Sequence, residues 1–379
     1  MKTIRDFLRK HALLLLAALV VLSVPAGVAL GKYAASVDVT NELNLNVSMK
    51  TYTIKETNLW EIVYGNCVEP KPNSIVFAYS APDGLEKMTY SSNGQVIDFK
   101  DTSYNLKSGS IYAYYDSANR IVYIAPETPG KMMAPKYCGQ FLASYNGNIG
   151  SDYTYAMRNS LEGIDLQNLD TSNTTNMVTM FGYNYALKSI NFGHNFNTSN
   201  VTTMESMFYD CKKITSLDLS VFKTPALINM RWMFYDCASL YSIILTSFDT
   251  SNVTDMDTMF CNCTSLISLN LSSFDTSKVT NMMAMFARAS KLATIYVSDK
   301  FVTDNVTSDS DMFSSCTALV GGNGSTFSSL GAVGKTYAHI DGGTADPGYF
   351  TAAPGTQSLT NSVNVNVASA YGFDVDHAA

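Results

Sequence analysis

The sequence predicts a repeat solenoid, with a short strand and a short helix in each coil, preceded by a small antiparallel β-rich domain. Two observations carry the repeat reading. The pair Met-Phe recurs at Met180-Phe181, Met207-Phe208, Met233-Phe234, Met259-Phe260, Met285-Phe286 and Met312-Phe313, at intervals of 27, 26, 26, 26 and 27 residues. A short apolar segment keeps the same phase: Ile164–Leu166, Ile190–Phe192, Leu217–Leu219, Ile243–Leu245, Leu269–Leu271 and Ile295–Val297. Self-similarity at one fixed period marks units that stack, because a single coil cannot bury its own apolar face. Composition agrees. Of 379 residues 46% are hydrophobic and only 15% charged, which argues against wholesale disorder and against a coiled coil.

The chain opens with Lys2, Arg5, Arg9 and Lys10, an apolar run from Ala12 to Leu22, and small residues from Ala26 to Gly31. This is the order of a secretory signal peptide, 1–31, with Ala26 and Ala29 both acceptable before a cleavage point. A retained anchor is the alternative, and Pro25, Gly27 and Gly31 weaken it. Membrane contact is expected only through this segment, if it stays uncleaved. Residues 32–150 alternate short β-branched or aromatic runs, Ile75–Tyr79 and Ile111–Tyr115, with turn signals at Pro82–Gly84 and Ser92–Gly94. They predict the antiparallel β-rich domain.

The repeats occupy 157–320: six units and one degenerate unit around Tyr155–Leu161. In each, a two-residue alternation such as Leu217/Leu219 predicts a half-buried strand. The polar run that follows, as in Asp249–Thr254, predicts a turn held by Asx and Ser/Thr side chains. Apolar groups three or four apart, as in Asp255–Leu266, predict one or two turns of helix facing inward. Residues 321–350 predict a C-terminal cap, with Tyr337, Ile340, Tyr349 and Phe350 over the last coil. Residues 351–379 predict a linker and a terminal strand, Asn361–Val367, which echoes Asn41–Val47. Those two strands either share one subdomain or complete a neighbouring molecule.

The stretch Leu269–Phe286, Leu-Asn-Leu-Ser-Ser-Phe-Asp-Thr-Ser-Lys-Val-Thr-Asn-Met-Met-Ala-Met-Phe, resembles the repeat of BspA-like leucine-rich-repeat surface proteins. The resemblance covers about 157–320, and Thr336–Phe350 is similar to that family's C-terminal signature. It implies a solenoid of the leucine-rich-repeat type and a secreted or surface protein of bacteria linked to adhesion, with no catalytic residues and no cofactor. Lys223-Thr-Pro-Ala226 and Ala289 depart from the pattern.

Chemistry-bearing residues are sparse. Four histidines leave little for His-based catalysis, and no spacing joins Ser, His and Asp. Cys211, Cys237, Cys263 and Cys316 each follow the repeat Phe by three residues, a ladder read as reduced packing residues rather than bridges. Cys67 and Cys138 are weighed as a pair. Asp304, Asp309 and Asp311 lack the glycine and glutamate of a calcium loop, so no metal is expected. A net charge of −7 without a basic cluster excludes nucleic acid. The candidate binding face is the exposed side of the strands, Asn191, Asp218, Ile244, Asn270 and Tyr296, with Ile244 and Tyr296 as apolar exceptions. Expected partners are an extracellular protein or glycan, or a second copy through self-assembly. The function expected is adhesion or macromolecular binding by a non-enzyme; the alternative is a structural matrix or fibre subunit.

Overall fold

A computed structural model describes residues 51–55, 57–67, 69–99, 109–144 and 156–354. The leader and both Asn-rich terminal segments lie outside the described residues. Strands β1 (Thr51–Thr53), β2 (Ser74–Phe77), β3 (Ile111–Asp116), β4 (Ile121–Pro126) and β5 (Lys131–Met133) precede the repeats. The repeats contribute β6 (Gly163–Asp165), β7 (Leu169–Asp170), β8 (Ser189–Asn191), β9 (Ser216–Asp218), β10 (Ser242–Ile244), β11 (Ser268–Leu271) and β12 (Thr294–Val297). Helices are α1 (Leu59–Asn66) and the four-residue α2 (Phe327–Leu330); β13 (Thr351–Ala352) closes the described chain.

Equivalent residues of successive repeats pair in parallel. β9 lies beside β10 with Leu217 opposite Ile243, and β11 beside β12 with Leu269 opposite Ile295. A second parallel ladder runs Tyr137, Asn176, Thr203, Asn229, Asp255, Asn281, Ser308. Inside, the repeat phenylalanines stack at centroid separations of 5.4, 5.5, 5.3, 6.0 and 5.5 Å from Phe181 to Phe313. Phe208, Phe234, Phe260 and Phe286 each thus spend both faces on their neighbours, beyond the apolar area they remove from water.

The helix expected after each turn is absent. From Met230 onward, alternate amides leave the repeat: Met230 N, Trp232 N, Phe234 N and Asp236 N donate to carbonyls of Asp255, Asp257, Met259 and Cys261 at 2.9–3.0 Å. The amides between them fold back three residues, as Met233 N does to Met230 O and Tyr235 N to Trp232 O. Trp232 and Asp236 sit at φ +57° and +55°, and every repeat carries the same pair of left-handed residues. An α-helix would keep all its amides to itself and offer the next repeat none. Left-handed backbone costs about 1–2 kcal/mol per non-glycine residue; the inter-repeat bonds offset it. The three-and-four spacing of Met230, Met233, Phe234 and Cys237 mimics a helix because both forms bury those positions.

The polar motif is structural too. Thr171, Thr198, Thr224, Thr250 and Thr276 are buried. Each hydroxyl donates to a carbonyl of the next repeat and accepts from that repeat's amide; Thr250 Oγ1 gives 2.9 Å to Asp275 O and receives 2.8 Å from Asp275 N. The preceding Asp or Asn caps the turn, as Asp249 Oδ1 accepts from Ser251 N at 3.1 Å. Lys223-Thr-Pro-Ala226 keeps the threonine, so the ladder passes through that departure unbroken.

The described part of the region before the repeats, expected to be antiparallel, pairs largely in parallel. β2 pairs in parallel with both β4 and β6, and β1, β5 and β7 form a parallel trio. Among the described residues of this region, antiparallel pairing is confined to β3–β4 and the bridges Lys87–Tyr114, Thr89–Val96 and Asp98–Tyr112. Residues 137–144 copy the repeat conformation: Cys138 N, Gln140 N and Leu142 N donate to Asn176, Val178 and Met180 at 2.8–2.9 Å, with Gln140 at φ +58°. The degenerate unit is therefore assembled from pieces, β2, 131–144 and the segment around Arg158, which an insertion separates in sequence.

At the far end β13 pairs in parallel with β12, and Tyr349 and Phe350 pack edge-on to Phe313 at 5.0 and 5.9 Å. Buried Asp341 accepts from Asn323 N, Ser325 N, Gly343 N and Ser325 Oγ at 2.8–3.0 Å. Gly321 leaves no room for a Cβ, which would meet Gly348 O at 2.1 Å.

Two outcomes follow. Thr250→Val should destabilise the chain by about 1–3 kcal/mol in denaturant unfolding, since Asp275 loses partners for both backbone groups; Ser251→Ala, on the exposed turn, should stay within about 0.5 kcal/mol. Asp341 is held well below the usual carboxylate range: burial opposes this, but amides of Ser325, Gly343 and Asn323 favour the charged form. Its contribution is present above the unfolded carboxylate pKa and fades as pH falls through the depressed folded value. Asp341→Asn should thus lower Tm at pH 7, and the gap from the unsubstituted chain should narrow under strong acid.

Candidate functional site

On the strand face expected to bind, Asp218 lies opposite Ile244, and Asn270 opposite Tyr296. Asn191, Asp218 and Asn270 have local work. Their Oδ1 atoms accept from Gly193 N, Ser220 N and Ser272 N at 3.3, 2.9 and 3.0 Å, capping the turn after each strand. Asp218 is accordingly held below its ordinary value by bonds from Ser220. Ile244 stands in the same column without that role and is 41% exposed. Tyr296 is half-buried, its backbone paired with Thr351 of β13. Tyr241 and Ile267, just ahead of β10 and β11, are exposed as well; read as strand flanks, they do not stand out in sequence.

A second strip, made by the left-handed turns, carries more varied side chains. The position after the repeat phenylalanine holds Gly182, Tyr209, Tyr235, Cys261, Ala287 and Ser314 in register. Tyr183, Tyr209 and Tyr235 form an outer stack, with centroids 5.1 and 4.7 Å apart. Arg158 closes its first end, with its guanidinium 4.9 Å from the Tyr183 ring and 5.4 Å from Tyr185. Its Nη1 donates to Tyr185 Oη at 3.0 Å, while buried Nε and Nη2 find no hydrogen-bond partner. On the same strip Arg231 lies 3.9 Å over the Trp232 ring and pairs with Asp257 at 2.8 Å.

Beside the tyrosines lies a column of Asp210, Asp236, Asn262 and Arg288. Lys212 Nζ bridges the two carboxylates, 3.2 Å from Asp210 and 2.8 Å from Asp236, and Asn262 Nδ2 donates to Asp236. Burial and a bond shared with Asp236 push Asp210 up to about 6, against the pull of Lys212. Burial and neighbouring Asp210 likewise hold the Tyr209 hydroxyl above its normal value, so it stays a neutral donor and acceptor.

The cysteines have a scaffold role. Cys211, Cys237, Cys263 and Cys316 donate to Phe181, Phe208, Phe234 and Phe286 carbonyls at 3.0–3.3 Å. Burial pushes the Cys67 and Cys316 thiols up to about 12, so neither is an activated nucleophile. No disulfide joins the described cysteines; Cys138 Sγ bonds Pro135 O at 3.4 Å. Asp309 accepts from Lys335 N at 2.7 Å, and no metal-holding cluster exists among the described residues. No described helix is long and apolar enough to cross a membrane.

The repeats match a family model described as "Mycoplasma protein of unknown function, DUF285". Two matches, 151–244 and 239–330, together cover just under half the chain. They run through the turn strip and its aromatic stack. No curated protein and no solved structure matches the chain.

Because Asp210 has a raised folded pKa, it favours the folded state at acid pH, and this contribution is lost as pH rises through about 6. Asp210→Asn should therefore raise stability relative to the unsubstituted chain at pH 7.5. The advantage should shrink as pH is lowered toward the unfolded carboxylate value, followed by thermal unfolding at both pH values.

Proposed function

We propose that the chain is a non-catalytic, leucine-rich-repeat-type solenoid that acts outside the bacterial cell or at its surface, where it binds an extracellular macromolecule in adhesion. One observation carries this reading. The recurring polar groups of the motif bond within or between repeats, while one strip displays Trp232, Arg231 and three stacked tyrosines. Trp, Tyr and Arg are the side chains that dominate binding energy at protein surfaces. A ladder of parallel repeats presents them along an extended line, the shape repeat proteins use for long partners. The basic-then-apolar leader supports an address outside the cytoplasm.

The test is saturable binding of the full chain to a panel of extracellular matrix proteins and intact cells. Binding should weaken roughly tenfold or more in Trp232→Ala with Tyr235→Ala, and persist in Ile244→Asp with Tyr296→Asp. The reverse pattern would move the site to the strand face. No binding to any member of the panel rejects the proposal.

A further inference from the structure

We infer that one flank of the solenoid, the row Tyr241, Ile267, Ala293 and Val320, is the surface through which two copies of the chain pair, running antiparallel. The inference does not involve the turn strip and goes beyond the binding reading above.

These four residues hold one position in four successive repeats, immediately ahead of the strand segment. Backbone bonds keep them in register. Ala293 N donates to Ile267 O at 2.8 Å and Val320 N to Ala293 O at 2.9 Å, while the Asn229–Asp255 bridge aligns the repeats of Tyr241 and Ile267. In the two repeats before, the position is polar: Thr215, and Lys188, which pairs with Glu162 at 2.6 Å. Tyr241, Ile267 and Val320 are 54%, 56% and 39% exposed, and Ala293 is half-buried. Among the described residues no other repeat position carries more than one exposed large apolar side chain; Ile228, Ile244 and Met283 each stand between polar equivalents. Single exposed apolar residues are ordinary, but a contiguous row marks a place that another surface covers.

The size order of the row and the charge of its borders select a second copy. The row runs from large to small, Tyr241 and Ile267 and then Ala293 and Val320. Turned end for end on itself, it sets Tyr241 against Val320 and Ile267 against Ala293, a larger side chain meeting a smaller one at each step. Such a surface is self-complementary about a two-fold axis, where every contact occurs twice. Laid parallel, the same rows would oppose tyrosine to tyrosine and leave a gap between the two alanines. Ser239, Ser265 and exposed Lys291 border the row on one side, Ser242, Ser268 and Thr294 on the other. A chain of net charge −7 repels its own copies, but no acidic side chain stands in this row or its borders. The antiparallel register puts the one charge, Lys291, opposite Ser265 of the second copy. The row spans roughly 14 Å, three steps of about 4.8 Å. That is too small a core for the about 800 Å² per partner of a permanent dimer, so the pairing is reversible.

Sedimentation equilibrium of the full chain between roughly 1 and 300 μM should show monomer and dimer exchanging with a Kd of roughly 1–100 μM. Tyr241→Thr with Ile267→Thr should raise that Kd at least tenfold. Thr215 holds this position in the preceding repeat, so thermal unfolding should be nearly unchanged. Trp232→Ala with Tyr235→Ala, on the turn strip, should leave the Kd where it was. Cross-linking reads the register: a mixture of Ile267→Cys and Ala293→Cys chains, with an added copper(II) oxidant, should form disulfide-linked dimer faster than either variant alone. A monomer at every concentration overturns the inference, as does a dimer that the threonine variant does not weaken. Equal or faster cross-linking within either single variant overturns it too.

Discussion

The structure depends on a backbone division of labour: every second amide of the turn strip belongs to the next repeat. That rule fixes the rest. It demands two left-handed residues in each repeat, which set Thr179 and Tyr183, Trp232 and Asp236, or Thr258 and Asn262 at positive φ. It holds equivalent side chains in register, so that like stacks upon like: phenylalanines within, tyrosines without. It also makes the ladder intolerant of slippage, because Thr250 must meet both backbone groups of Asp275 at once. No repeat satisfies these groups alone. Order within one repeat therefore presupposes its neighbours.

Much of this was legible. The period, the strands, the turn and the cap residues Tyr349 and Phe350 all stood in the sequence, because burial repeats wherever backbone geometry repeats. The error over the helix has a definite cause. Met230, Met233, Phe234 and Cys237 face inward either on a helix or on a ribbon of successive turns, and spacing reports burial rather than hydrogen bonding. The residues that decide between them, Trp232 and Asp236, look unremarkable in sequence; a tryptophan in left-handed backbone is not a residue one would assign there.

The described stretch from residue 51 to residue 144 hides its repeat character for a related reason. Its rungs are split by an insertion, so β2 and β5 belong to one repeat yet are far apart in sequence, and no fixed period survives. Only Cys138-Gly-Gln-Phe-Leu-Ala-Ser144, bonded rung for rung to 176–182, betrays the kinship. β3 and β4 are the part that does pair as an antiparallel hairpin, and their aromatic alternation dominated the reading of everything around them.

Sites in such an array are written in its departures from regularity. The buried threonine column is uniform from Thr171 to Thr276, because each hydroxyl both donates to and accepts from the backbone of the next repeat. The outer position after the repeat phenylalanine is Gly182, Tyr209, Tyr235, Cys261, Ala287 and Ser314, and the ladder beneath it does not change. A position that the scaffold leaves unconstrained can carry specificity at little cost in stability. The strand-face column is intermediate: Asn191, Asp218 and Asn270 are tied to their turns, and Ile244 is released. By this criterion the turn strip, where large aromatic side chains give way abruptly to small ones, is the better candidate for recognition than the strand face, where Ile244 and Tyr296 are the departures from small polar residues.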